Sequence, residues 1–242
     1  MNGCHYLHCT QCGLIYVDRF ATAEQMLEAY TGGGFKSWRR RILGPFRKLT
    51  NVKGYAQSMQ RAREIFAVAS QAAKPLANPQ FLDIGCNKGF LLTAAIEQGY
   101  TVSGVELVKE LIHPFINSYP QFRKNIYSEK FSVVAPQFGD GFFDLITAID
   151  VIEHFEDPIK DIQEIYRVLK PGGVFVIQTP DVDCVQATSQ GCHWAALKPL
   201  EHLHLFGRKN FPGFAVKLGF REVSIRDPFE EADGNFTAIL RK

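Results

Sequence analysis

Phe81-Leu82-Asp83-Ile84 runs directly into Gly85-Cys86-Asn87-Lys88-Gly89, and Phe90-Leu91-Leu92 follows. A short apolar run, a turn bounded by glycines and a second apolar start read as strand, glycine turn and helix. Gly85 and Gly89 let backbone approach a ligand at the carboxyl end of the strand, where open α/β sheets bind their ligands. Glu106 stands 21 positions beyond Gly85, at the end of Thr101-Val102-Ser103-Gly104-Val105. A carboxylate there can accept hydrogen bonds from both hydroxyls of a ribose. Dinucleotide sites use G-x-G-x-x-G, but here Asn87 takes the middle position and no glycine stands three residues beyond it. The pattern therefore points to an adenosine-containing cofactor other than a dinucleotide. The plainer rival is an ordinary strand-to-helix turn with a surface glutamate.

Outward from this turn, β-rich runs alternate with helical stretches, the pattern of a parallel sheet covered on both faces. Strands are expected at Gln80 to Ile84, Thr101 to Glu106, Lys124 to Tyr127, Phe143 to Ile149, Val174 to Thr179, Glu222 to Asp227 and Phe236 to Leu240. A helix should start at Asp157 as cap with Pro158 in its first turn, and bury Ile159, Ile162, Ile165, Tyr166 and Leu169. Pro171-Gly172-Gly173 should stop it. The last two strands, joined by the polar segment Glu230 to Asn235, should pair antiparallel. Upstream, Met59, Ala62, Ile65, Phe66 and Ala69 recur at helical spacing, predicting an amphipathic helix from Ser58 to Ala73.

The chain has 242 residues, 46% of them hydrophobic, which suffices for one α/β domain with some length to spare. No uninterrupted apolar run is long enough to span a bilayer, and the first residues lack the order of a signal peptide, so a cytoplasmic protein is expected. The net charge of +2 by itself implies neither nucleic acid nor membrane as partner. Six cysteines are too few and too clustered for a disulfide framework. Cys4, Cys9 and Cys12 fall together, and Cys9-Thr10-Gln11-Cys12-Gly13 has the spacing of a metal knuckle, with zinc as the candidate ion. Seven basic residues between Lys36 and Lys53 (Lys36, Arg39, Arg40, Arg41, Arg47, Lys48, Lys53) come with no acidic one. Such a stretch is a solvated face, a lipid contact or a phosphate contact.

The segment Leu82 to Gly89 closely resembles motif I of class I S-adenosylmethionine-dependent methyltransferases. Phe143-Asp144-Leu145-Ile146-Thr147-Ala148-Ile149-Asp150-Val151-Ile152-Glu153-His154 resembles the fourth-strand motif of their ubiquinone-biosynthesis-like branch. Val168-Leu169-Lys170-Pro171-Gly172-Gly173 is similar to the turn before strand five, and Glu201-His202-Leu203-His204-Leu205-Phe206 to the segment before the last helix. The resemblance covers about residues 81–220. It implies a Rossmann-like, doubly wound, seven-stranded mixed α/β sheet with an antiparallel C-terminal hairpin and helices on both faces. It places Asp83, Gly85 and Gly89, with Cys86 and Asn87 between them, around the methionine part of the cofactor, Glu106 on its ribose, and Asp150 near the methionine amino group or the acceptor. The sequence departs from the family at Asn87, where a glycine is usual, and at Ile126-Tyr127-Ser128, which lacks the carboxylate that often meets the adenine amine. Tyr127 or Ser128 must serve there.

Methyl transfer from a sulfonium needs in-line positioning and, for an oxygen or carbon acceptor, removal of a proton. His154 is the first candidate base, ahead of His202 and His204, and its rival role is a hydrogen bond to loop backbone. Cys9 to Gly13 also resembles the second half of the zinc ribbon that precedes some methyltransferases of sugar pathways. The expected organisation is a cysteine-bearing, zinc-ribbon-like element over residues 1–30, a basic helical cover over 31–75 and the S-adenosylmethionine-binding domain over 76–242. O-methylation of a small-molecule, sugar or carrier-linked acceptor is the leading reading. An RNA or protein methyltransferase, a non-catalytic cofactor-binding protein and a dinucleotide oxidoreductase are the rivals.

Overall fold

The computed structural model describes residues 5–19, 52–73, 77–229 and 234–242. The basic run from Lys36 to Lys48 and Cys4 lie outside them.

Among the described residues, ten strands form two sheets. The main sheet contains β3 (Gln80–Ile84), β4 (Thr101–Val105), β5 (Ile126–Tyr127), β6 (Phe143–Ile149), β7 (Leu169–Pro180), β9 (Glu222–Arg226) and β10 (Asn235–Arg241), in the order β5-β4-β3-β6-β7-β10-β9. Strands β3 to β7 pair in parallel, and β10 is antiparallel to both β7 and β9. This is the doubly wound, seven-stranded mixed sheet expected, with antiparallel C-terminal strands. Adjacent residues of one strand serve opposite faces, as the period of two requires. Phe81, Leu145, Val174 and Val176 face one core, with α1 (Val52–Ala73), α2 (Phe90–Glu97) and α3 (Lys109–Ser118) packed on it. Leu82, Ile146, Phe175 and Ile177 face the other, covered by α4 (Phe131–Val134), α5 (Pro158–Val168) and α6 (Phe211–Lys217).

The helix expected from Ser58 begins earlier, at Val52, and buries Met59, Ala62, Ile65, Phe66 and Ala69, the residues its spacing selected. Phe66 meets Phe81 and Tyr100 edge-on at centroid distances of 5.1 and 5.0 Å. Burying one such ring contributes roughly 1.5–3 kcal/mol. This part of the expected cover is thus a layer helix on the sheet. Its first turns still reach the glycine turn, since the Tyr55 ring packs edge-on against Phe90 at 5.4 Å.

Two boundaries differ from the sequence reading for visible reasons. In α5, Asp157 caps as expected by accepting the Lys160 N–H at 3.0 Å, but Ile159 is exposed. The inward stripe instead runs through Pro158, Asp161, Ile162, Ile165 and Val168. Strand β7 begins at Leu169, not Val174, because Leu169 already pairs with Phe143 before a register shift that accommodates Pro171-Gly172-Gly173 as a bulge. The glycine pair continues in the sheet's hydrogen bonding, with the Lys242 N–H donating to the Gly173 carbonyl at 3.0 Å.

The second sheet is small, with β1 (Tyr6–His8), β2 (Ile15–Val17) and β8 (His204–Leu205) in that order. Ile15 pairs with Leu205 and Tyr16 with His204. The N-terminal hairpin is therefore joined by backbone hydrogen bonds to the Glu201 to Phe206 segment. Among the described residues no helix is long and apolar enough to cross a membrane.

Candidate active site

The glycine turn after β3 closes tightly. The amides of Gly85 and Cys86 both donate to the Val105 carbonyl, and the Gly89 N–H returns to the Cys86 carbonyl at 2.8 Å. Gly85 and Gly89 adopt left-handed backbone, φ 75° and 74°. Glycine is required at each for a second reason. A Cβ at Gly85 would stand 2.4 Å from Val151 Cγ2, and one at Gly89 would stand 2.7 Å from the Phe115 ring. Asn87 is also left-handed at φ 47°, a conformation asparagine adopts more readily than most residues, so the turn keeps its course without the usual glycine. The Cys86 side chain is buried, and a Cβ at Gly104 would stand 2.8 Å from its sulfur, so at the crevice the residue presents backbone only.

Glu106 lies beside this turn at the end of β4. One carboxylate oxygen accepts the Asn87 N–H at 2.9 Å and the other the Val108 N–H at 2.8 Å. Burial raises its carboxyl above the usual range, and these two donors oppose that shift. Each oxygen has a further lone pair for a hydroxyl. Leu107 follows with 63% of its surface exposed. Beneath the turn, Asp83 is buried and accepts the Thr147 hydroxyl at 2.6 Å. Burial pushes its carboxyl up to about 7, with the Glu106 charge adding to the shift and the Thr147 hydroxyl opposing it.

Asp150 follows β6 with left-handed backbone, φ 56°. Its carboxylate accepts the Asn235 carboxamide at 2.9 Å. Farther along, Glu153 is 1% exposed and accepts the Thr179 hydroxyl at 2.9 Å. Burial, and then the Asp150 charge, push its carboxyl up to about 8. His154 Nδ1 faces the Glu201 carbonyl at 2.6 Å, and a carbonyl can only accept, so Nδ1 carries the proton and Nε2 carries the lone pair. His202 Nδ1 is tied in the same way to the Ala196 carbonyl at 2.8 Å, and His204 Nδ1 to the Phe155 carbonyl at 3.0 Å. Desolvation holds His154 and His204 below the usual imidazole range, which keeps them neutral near pH 7. The rings of His154 and His202 meet edge-on at 5.0 Å. Among the described residues, Glu153, His154 and His202 form the one group of three whose ligand atoms lie near enough together, within 4.8 Å, to hold a metal ion.

Two sets of candidates are thus brought together at the carboxyl ends of β3, β4 and β6: Asp83, Gly85, Asn87, Gly89 and Glu106 in one, Asp150 and His154 in the other. Cys9 and Cys12 lie apart from them, in the turn between β1 and β2, where Gly13 is left-handed at φ 72° and donates its N–H to the Cys9 carbonyl at 2.8 Å. The Cys12 and Gln11 amides hold the Cys9 thiol below its usual range. Sequence reasoning missed Thr147, Thr179, Gln178 and Asn235. Their signal was present as polar residues inside otherwise apolar strands, where a buried side chain must have a partner.

A methyltransferase domain family model matches residues 55–225. The chain belongs to the methyltransferase domain family. Within that family, this methyltransferase is 30% identical over 109 residues to the ubiquinone biosynthesis O-methyltransferase of Pseudomonas aeruginosa strain LESB58, an overlap covering 43% of this chain and 45% of the relative. It is 31% identical over 104 residues to the enzyme of the same name from Thiobacillus denitrificans, covering 41% and 43%. The match spans less than half the length of these curated relatives. Among solved structures, the fold resembles the 1,6-didemethyltoxoflavin-N1-methyltransferase of Burkholderia thailandensis, determined with bound 1,6-didemethyltoxoflavin and S-adenosylhomocysteine, with a TM-score of 0.59, 17% identity and coverage of 99% of this chain and 98% of that one. A SAM-dependent methyltransferase from Archaeoglobus fulgidus has a TM-score of 0.57, 16% identity and coverage of 74% and 94%. At those identities the likeness shows the fold. Family membership gives the chain a methyltransferase domain, and the solved structures that share its fold include S-adenosylmethionine-dependent methyltransferases.

Proposed function

We propose that this chain transfers a methyl group from S-adenosylmethionine to an oxygen of a small-molecule, sugar or carrier-linked acceptor. The observation that carries the reading is the Glu106 carboxylate, fixed by two backbone amides beside a glycine turn that leaves no room for side chains. The cofactor supplies an activated methyl on a sulfonium. Glu106 binds the ribose hydroxyls, and the backbone of Gly85 to Gly89 lies against the methionine part. Tyr127 turns its ring onto Phe138, edge-on at 5.5 Å, which leaves Ser128 as the candidate for the adenine. His154 accepts the acceptor proton at Nε2, because Nδ1 is committed to Glu201. The reactants must otherwise only be aligned.

Calorimetric titration of the protein with S-adenosylmethionine, repeated on Glu106→Ala, tests the cofactor site. The variant should bind at least about tenfold more weakly, equivalent to roughly 1.4 kcal/mol. Equal binding by both proteins would remove Glu106 from the site. Release of S-adenosylhomocysteine across a panel of phenols, sugars and amines then assigns the acceptor atom.

The organisation proposed with this activity is a zinc-ribbon-like element over residues 1–30, a basic linker over 31–75 whose helix α1 packs on the sheet, and the cofactor domain over 76–242. Zinc would be held by Cys9 and Cys12, with Cys4 as third ligand. The amides of Cys12 and Gln11 directed at the Cys9 thiol and the left-handed Gly13 support a knuckle, and metal analysis of the purified protein against Cys12→Ser decides it.

A further inference from the structure

Among the described residues the His154 ring makes one hydrogen bond, from Nδ1 to the Glu201 carbonyl at 2.6 Å, while Nε2 stands 3.9 Å from Glu153 Oε1, beyond hydrogen-bonding reach. The tautomer and tilt of the ring therefore follow the position of that carbonyl. Glu201 belongs to the loop between β7 and β8. The Glu201 and His202 amides both donate to the Lys198 carbonyl, at 2.8 and 2.7 Å, bonds that fold the loop on itself and move with it.

Bonds to other elements reach this loop from two sides. On one side the Leu203 N–H donates to the Glu153 carbonyl at 2.7 Å, and His204 Nδ1 to the Phe155 carbonyl at 3.0 Å. On the other the N-terminal hairpin supplies donors to two successive carbonyls. The Tyr6 hydroxyl, on β1, donates to His202 at 2.8 Å, and the Val17 N–H, on β2, to Leu203 at 3.0 Å. Tyr6 and Val17 stand opposite one another in the β1–β2 register, so a single rung of the hairpin carries both donors. Only two soft dihedrals separate the peptide plane that Tyr6 holds from the preceding plane, which bears the Glu201 carbonyl. Fixing the first narrows the direction of the second. Without the rung the His202 and Leu203 carbonyls would turn to water, and the loop would hang from residues 153–155 alone.

The geometry points to the Tyr6–Val17 rung as a positioning element of the acceptor side: it aims the Glu201 carbonyl at His154 Nδ1 and so keeps Nε2 as the nitrogen that accepts a proton. This rests on the reading of His154 as the base and deepens it, because it makes the cysteine-bearing hairpin a working part of the site.

The test is ring-nitrogen NMR of the full, isotope-labelled chain at a pH where the rings are neutral, with the His154 signals assigned by their absence from His154→Gln. The unaltered chain should show Nδ1 protonated and Nε2 bare. Tyr6→Phe keeps the ring and removes the donor, and the opposite tautomer should become detectable, its share rising by up to about tenfold, the worth of one hydrogen bond. Tyr6→Phe combined with Val17→Pro removes both donors and should bring the two forms to comparable populations. Loss of the hairpin in that double variant would leave the prediction unchanged, since both donors would still be gone. Its kcat for methyl transfer should fall by about tenfold, with calorimetric S-adenosylmethionine affinity within about twofold of the unaltered chain, a threshold small against one lost hydrogen bond. Leu7→Thr, at the exposed neighbour of Tyr6 on the same strand, should match the unaltered chain in every reading. An unchanged tautomer in the double variant would overturn the inference. So would a shift in Leu7→Thr as large as that in Tyr6→Phe, or a tenfold loss of S-adenosylmethionine affinity in Tyr6→Phe, which would put the hairpin on the cofactor side. Methyl transfer indifferent to His154→Gln would instead overturn the base reading beneath it, a failure kept distinct by the tautomer signals, which need no turnover.

Discussion

The carboxylate of Glu106 accepts the backbone N–H of Asn87 at 2.9 Å, tying the end of one strand to the turn that follows its neighbour. The bond crosses from one strand end to the neighbouring turn, so the acid proposed to bind the ribose also fixes the shape of the glycine turn. Asn87 donates it from left-handed backbone. Replacing Asn87 with glycine should be neutral or slightly stabilising. Asn87→Val should cost about 1–2 kcal/mol, because a β-branched side chain fits that backbone region poorly. Thermal melts of the two variants read the difference, and equal melting points would mean the loop had shifted to another conformation.

Gly85→Ala is expected to be severe. The new Cβ would overlap Val151 Cγ2 at 2.4 Å and would also occupy backbone at φ 75°. A loss of more than about 2 kcal/mol is expected from overpacking and strain together. Val151→Ala in the same chain should restore part of it by removing the clashing methyl. A double variant no more stable than Gly85→Ala would locate the cost wholly in the backbone.

The buried Asp83 makes stability depend on pH with an unusual sign. Its carboxyl is raised from 3.8 to about 7 in the folded protein, so between those values the folded state holds a proton that the unfolded chain has released. Stability from this group should therefore be largest at low pH and decline as pH rises from about 4 to about 7. Asp83→Asn should flatten that part of the profile. Chemical denaturation at several pH values measures it, and an Asp83→Asn profile parallel to the parent would show that the carboxyl ionises normally.

If His154 is the base, its neutral form is the active one. Methyl transfer should fall as pH drops through its pKa, and that acid limb should lie below the ordinary imidazole value because desolvation lowers it. His154→Gln should lower kcat by roughly 10²- to 10⁴-fold and abolish the limb. A rate profile unchanged in shape would assign proton removal to another group, with His202 the next to replace.

The turn at Gly85 to Gly89 was legible in the sequence because a tight approach of backbone demands glycine, and few other constraints produce that spacing. Met59 to Ala69 was legible because one helical face must be apolar. Ile159 misled because its spacing fits the stripe equally well, and only the packing of α5 shows that Asp161 turns inward in its place. The start of β7 was hidden because Pro171-Gly172-Gly173 has the same composition whether it ends a helix or bulges a strand. The polar anchors of the site could not be paired in advance. Thr147 with Asp83, Thr179 with Glu153 and Asn235 with Asp150 each join residues far apart in the chain, and nothing local specifies the partner.

The pairing of Tyr16 with His204 has a consequence for the order of assembly. During synthesis the β1–β2 hairpin emerges long before the segment that completes its sheet, so β2 must wait with an unpaired edge while five of the seven strands of the main sheet are made. The Tyr6 hydroxyl, which donates to the His202 carbonyl at 2.8 Å, acquires its acceptor at the same late stage. Glu201 and His202 thus take their places only after β3, β4 and β6 have been made, and a chain arrested before them would have the glycine turn without the carbonyl that holds His154.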